Sequence, residues 1–192
     1  MKLKTHIAFG LFFGVLFYYF LDFGFELVLI TGFAAFLPDF DFTLQNKLGF
    51  SGVHRKLCHN IWFMILVSFV VFVLFGSFIL SLGIIIGIIS HFVADSLTVS
   101  GIYWVYPYGK KGKKFHTSGP FSMSDKNHRR RERLIGTVVL TLAGYLFLIN
   151  EVNIAMISSY GFVGFGIVAS LGYVVMNKLD KAIGKVIKSL GL

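Results

Sequence analysis

The chain has 192 residues, 56% of them hydrophobic and 14% charged. A soluble domain of this length cannot hide that much apolar surface in one core, so the composition excludes an ordinary soluble enzyme and marks a membrane protein. The balance is basic, +9 at pH 7, and Cys58 is the single cysteine, which rules out an intrachain disulfide, a CxxC zinc site and a thiolate cluster.

Taken in chain order, apolar runs without period-2 alternation occupy residues 6–22, 24–38, 61–78, 80–98, 135–149 and 153–176. Several approach the ~20 residues that cross a hydrocarbon layer of about 30 Å. The start, MKLKTHIAFGLFFGVLFYYFLDF, has the basic and apolar parts of a signal peptide without a small-residue cleavage site, and reads as a retained first helix. The fold expected is all-α: a polytopic membrane helix bundle of about six transmembrane helices forming one domain over residues 1–177. The second run is short, and only Gly76 and Ser77 separate the third from the fourth, so five crossings or a re-entrant pair is the alternative.

Lys and Arg collect in cytoplasmic loops and test the count independently. With the N-terminus inside, Lys2 and Lys4, then Lys47, Arg55 and Lys56, then the run from Lys110 to Arg133, then Lys178, Lys181, Lys185 and Lys188 all fall on the cytoplasmic side. That is every one of the 18 basic residues, while Asp22, Glu26 and Glu151 fall opposite. Both termini are therefore expected in the cytoplasm, with a basic cytoplasmic loop at 99–134. Residues 178–192 set Leu179, Ile183, Val186, Ile187 and Leu190 against four lysines, as in an amphipathic tail lying on anionic headgroups; a frayed polar tail is the alternative.

On this topology the histidines and aspartates gather at one depth. His6 opens the first helix, Asp39 and Asp41 follow the second, His54 and His59 precede the third, and His91 and Asp95 end the fourth. Such groups are costly to desolvate and are usually paired, solvated or functional. His91 and Asp95 are four apart, on one helix face, and can grip one ion. Pro38 biases its predecessor away from helix, and in an extended stretch Asp39 and Asp41 would point the same way. Arg55, between His54 and His59, is a permanent cation able to fork onto a phosphate. Each piece has a bland reading: an interfacial histidine, solvated helix-end aspartates, a hydrogen-bonded structural pair, a topology-setting arginine. Their convergence at one depth favours a nitrogen-and-oxygen metal site for one or two divalent ions, zinc before manganese.

These residues resemble the YdjM-like family of membrane-bound proteins, described as metal-dependent hydrolases. The resemblance rests on Thr5-His6, on Pro38-Asp39-x-Asp41, on His54-Arg55-x-x-x-His59, and on His91-x-x-x-Asp95-x-x-Thr98 followed by Gly101 and Pro107. It covers roughly the first 110 residues; Cys58 and Asn60 flank His59 where the family pattern has Thr and Ser. The scatter of His and Asp over helices is also similar to that of zinc-dependent phospholipase C and related nucleases. The resemblance implies metal-assisted hydrolysis, and the topology puts the site at the cytoplasmic face of the inner (cytoplasmic) membrane.

The expected metal ligands are His6, Asp39, His59, His91 and Asp95, with Asp41 a further ligand, an orienting group or a general base. His54 is the expected proton donor and Arg55 the oxyanion clamp. The bilayer, its anionic headgroups and an amphiphilic phosphoester are the expected partners. Nucleic acid is not expected, because the basic loop lacks interleaved stacking aromatics. That loop first reads as a positive-inside anchor; it could also hold His116 or His128 over the site as a lid. The competing class is a scaffold recruiting a soluble protein through the loop. A transporter ranks lower, because the polar residues lie at one interface rather than the midplane.

Overall fold

The computed structural model describes residues 2–40, 57–108, 116–122 and 127–151. Asp41, His54 and Arg55, the expected span at 153–176 and the tail at 178–192 lie outside the described residues. The described residues form five α-helices: α1 (Leu3–Leu21), α2 (Phe25–Ala34), α3 (Ile61–Phe75), α4 (Phe78–Ser96) and α5 (His128–Glu151). A short antiparallel ladder pairs β1 (Ile102–Tyr103) with β2 (His116–Thr117).

Two of these helices, α1 and α4, are long and apolar enough to cross a membrane. At 19 residues each, they extend about 28 Å at 1.5 Å per residue. The shorter α2, with 10 residues, covers about 15 Å, half a hydrocarbon layer. The run expected to stay apolar and helical to residue 38 thus ends as helix at Ala34. There Ala35 N–H still donates to Thr31 O, and i+3 bonds take over: Phe36 N–H to Phe33 O and Asp39 N–H to Phe36 O. Leu37–Asp39 is a 3-10 turn with Pro38 in its first positions, where its missing N–H costs nothing. The extended stretch expected around Asp39 is therefore corrected to a tight helical turn.

The Gly76-Ser77 patch is a true break. Gly76 takes the left-handed φ of 62° and its N–H closes α3 onto Phe72 O, while the Ser77 hydroxyl accepts from Leu80 N–H to start α4. Helix α5 begins at His128, so the run HRRRER, read as loop, is its first turns. Arg and Glu are good helix formers, and Asn127 O accepts from both Arg130 N–H and Arg131 N–H to nucleate the turn.

Small residues set how closely the helices meet. In α1, Gly10 and Gly14 face α2; in α4, Gly83 and Gly87 face it from the other side. A Cβ on Gly10 would lie 2.5 Å from Thr31 O, and one on Gly87 2.6 Å from the same oxygen. Lipid tails are as apolar as leucine, so helices associate in a bilayer through close van der Waals contact, which small residues permit. Above this seam Val15, Val28 and Ala143 join α1, α2 and α5 in one buried cluster. Ala34, Ile84, Ile88 and Phe92 join α2 and α4 in another.

Candidate metal centre

The glycine ridges aim the site. His6 lies one turn before Gly10 and His91 one turn after Gly87, so the close approach of α1 and α4 to α2 carries the two rings together. They stack with centroids 3.8 Å apart and planes at 15°. Both rings are fully buried, as is His59, whose ring meets His91 edge-on at 4.9 Å. Asp95 is 1% exposed, and the Asp39 side chain, at 25%, is the part of the cluster that reaches the surface.

The polar atoms converge from four segments of chain. His6 Nε2 lies 3.8 Å from Asp39 Oδ2 and 3.5 Å from Asp95 Oδ1. His59 Nε2 lies 3.6 Å from Asp39 Oδ1 and 3.7 Å from Asp95 Oδ2, and His91 Nε2 is 3.8 Å from each of those two oxygens. These pairs are longer than the ~2.7–3.2 Å of a hydrogen bond. Among the described residues the metal-capable groups are His6, Asp39 and His91, and His59, His91 and Asp95, each with ligand atoms within 4.8 Å of one another.

The donor set is chemically able to hold a cation. His91 Nδ1 lies 2.7 Å from Ala35 O. A carbonyl only accepts, so Nδ1 carries the proton and Nε2 presents its lone pair to the centre. His59 Nε2 lies 3.0 Å from that atom. That separation is a hydrogen bond if His59 Nε2 carries a proton, and it equally matches the ~3.0–3.4 Å between two ligands bonded at about 2.1 Å to one ion. His91 has one lone pair to give, so the two groups describe one ion, or two ions of which only one takes His91.

The surrounding structure holds these ligands. The His59 backbone is pinned by its neighbour: Asn60 Oδ1 accepts from Phe63 N–H at 3.0 Å, its Nδ2 donates to Leu57 O at 2.8 Å, and Ile61 N–H donates to Trp104 O. Thr98 ends α4 by donating its hydroxyl and its N–H to Asp95 O, and its own carbonyl accepts from Gly119 N–H. Gly101, at φ +56°, lets Thr117 O approach to 1.9 Å of where a Cβ would stand, so the hairpin closes against the end of α4. His116 is placed there, its Nε2 donating to Ser100 O at 3.2 Å and its ring on Tyr103.

Sequence reasoning overlooked Glu132. It is 4% exposed, and its Oε1 accepts from Lys2 N–H and, at 3.2 Å, from the Thr5 hydroxyl. It thereby ties α5 to the start of α1 beside His6, with an anion at the positive end of that helix. The signal available was a lone acid inside HRRRER.

The family model of YdjM inner membrane proteins matches residues 1–180. The chain belongs to this family. The match runs well past the first 110 residues, through α5, and makes the chain an inner-membrane family member with a His/Asp cluster able to hold a metal ion. No curated protein and no solved structure matches it. Of the described residues on which the resemblance rests, His6, Asp39, His59, His91 and Asp95 converge, while the Thr5 hydroxyl bonds Glu132, Thr98 closes α4 and Gly101 lets the hairpin approach.

Proposed function

We propose that this YdjM-family protein is a membrane-embedded, metal-dependent hydrolase that cleaves a phosphoester of a lipid or similar amphiphile. The carrying observation is the convergence of three imidazoles and two carboxylates, all but Asp39 sealed from solvent. Burying two carboxylates beside three rings is costly unless a cation offsets the charge. Nitrogen and carboxylate ligands suit zinc, with manganese second.

His6, Asp39, His59, His91 and Asp95 would hold the ion. When bound, a divalent metal acidifies a water and polarises the ester under attack. The protein's share is positional. Ala35 O fixes the His91 tautomer, the Gly10 and Gly87 contacts lock the ring stack, and the dry walls strengthen every interaction within. Asp39, on its turn at the surface, marks the access side. Asp41, two residues on, is assigned to orient a ligand or take a proton, His54 to protonate the leaving group, and Arg55 to clamp the phosphate. The distribution of Lys and Arg supports six spans, cytoplasmic termini and a cytoplasmic site.

Elemental analysis of purified protein tests the centre. Asp39→Asn and His91→Ala are each expected to lose bound metal, and full occupancy in both would sink the proposal. A panel of phospholipids and generic phosphodiesters tests the reaction. A second reading, a scaffold for a soluble partner, is favoured by the exposure of Arg130, Arg131 and Arg133 on α5. A metal-free, inactive preparation that still binds a protein through those arginines would reverse the ranking.

A further inference from the structure

A groove of about 340 Å³ runs along the outside of the α1–α2 pair. Leu3, Ile7 and Leu11 form one wall and Leu29, Phe33 and Phe36 the other, with Gly32 between them. Its volume is at the lower end of the ~300–1,000 Å³ typical of small-molecule sites, and its lining is wholly apolar. A Cβ on the glycine at its base would stand 2.7 Å from Leu11 Cδ2, so its absence keeps the floor open without displacing that side chain.

Three observations say what fits. The walls follow the helix axes, and Leu3 to Leu11 spans about 12 Å at 1.5 Å per residue, so the occupant is elongated and lies along the bilayer normal. The helices are antiparallel, which puts Leu3 and Phe36 at the same end of the groove. That end adjoins the site: Leu3 and Ile7 bracket His6, and Asp39, the partly exposed member of the cluster, donates its N–H to Phe36 O. A molecule lying here would have an apolar body and a polar end at Asp39.

We infer that this groove seats one acyl chain of a phospholipid from the surrounding leaflet and delivers its headgroup phosphate to the cluster from the side. The inference rests on the proposed hydrolase reading for what happens to the phosphate, but the seat itself is a binding property. Phe33, 64% exposed, and Leu29, 57% exposed, then form its open rim.

The full chain is reconstituted into phosphatidylglycerol vesicles doped with a phospholipid carrying a photoactivatable acyl chain, and the adducts are mapped by mass spectrometry. Labelling of Leu29 and Phe33 is expected to exceed by several-fold that of Phe69 and Val73 on α3, each 63% exposed. Leu29→Trp fills the groove and is expected to abolish that excess at Phe33 while bound metal stays unchanged. Equal labelling of α3 and the groove, or an excess that survives Leu29→Trp, overturns the inference. Turnover of a water-soluble phosphodiester is measured in the same preparations. Its absence beside groove-selective labelling overturns the hydrolase reading and leaves the lipid seat standing.

Discussion

Only Gly76 and Ser77 separate α3 from α4, and the two helices pack side by side, but they divide inside from outside in opposite ways. The whole of α3 is apolar apart from Ser68, and Ser68 is its one buried residue. Ile65, Leu66, Phe69, Val73 and Leu74 are all at least half exposed. In α4, by contrast, Ser81, Gly83, Gly87, Ser90, His91 and Asp95 are buried with Ile84, Ile86 and Ile88. The more hydrophobic helix is the one turned outward, because in a bilayer the outside is the apolar phase. Polar and small residues mark the interior: small ones because backbones approach there, polar ones because only there do they find partners.

That contrast can be broken most severely at the α4 seam. Gly87→Leu must push against Thr31 O and the Ala34 Cβ, which lies 2.5 Å from the added carbon. Overpacking against backbone is expected to cost about 3 kcal/mol or more, seen as loss of the monodisperse folded species in detergent together with all bound metal. Next in size is Asp95→Asn. It keeps the shape but removes the charge facing His6, His59 and His91, and metal affinity by calorimetric titration should fall by more than the ~10–100-fold typical of losing a group that merely supports a ligand.

A smaller effect is expected at the start of α3. Asn60→Ala removes the cap on Phe63 N–H and should cost about 1 kcal/mol in thermal or denaturant unfolding, with Asn60→Ser restoring most of it. The smallest belongs to the exposed face of α3, where Phe69→Leu should change stability by less than about 0.5 kcal/mol and leave metal binding untouched. A large loss at Phe69 would mean that this face packs against protein and would undo the comparison.

Much of the site was legible as a set of residues. His6, Asp39, His59, His91 and Asp95 were singled out because ionisable groups in an apolar chain carry a desolvation cost that demands a reason. Their supports were not legible. Glu132 sits in a run of arginines that reads as solvated loop, and its burial depends on α5 docking against the first turn of α1. The backbone around Asp39 departs from the extended expectation because Leu37, the residue that Pro38 biases away from helix, is itself part of the 3-10 turn, in whose opening the missing N–H of Pro38 costs nothing.

The sequence alone determined the solvent of this protein, its helical class and the chemistry of its ligands, because composition and local periodicity are properties of the chain itself. Only the tertiary structure decided that three imidazole nitrogens and two carboxylates share one centre, with His91 oriented by Ala35 O and facing His59 at 3.0 Å. That depends on α1 and α4 both pressing on the backbone of α2 at Thr31, a contact between residues far apart in sequence. No local pattern encodes it, since the glycines that permit it contribute by the side chains they lack.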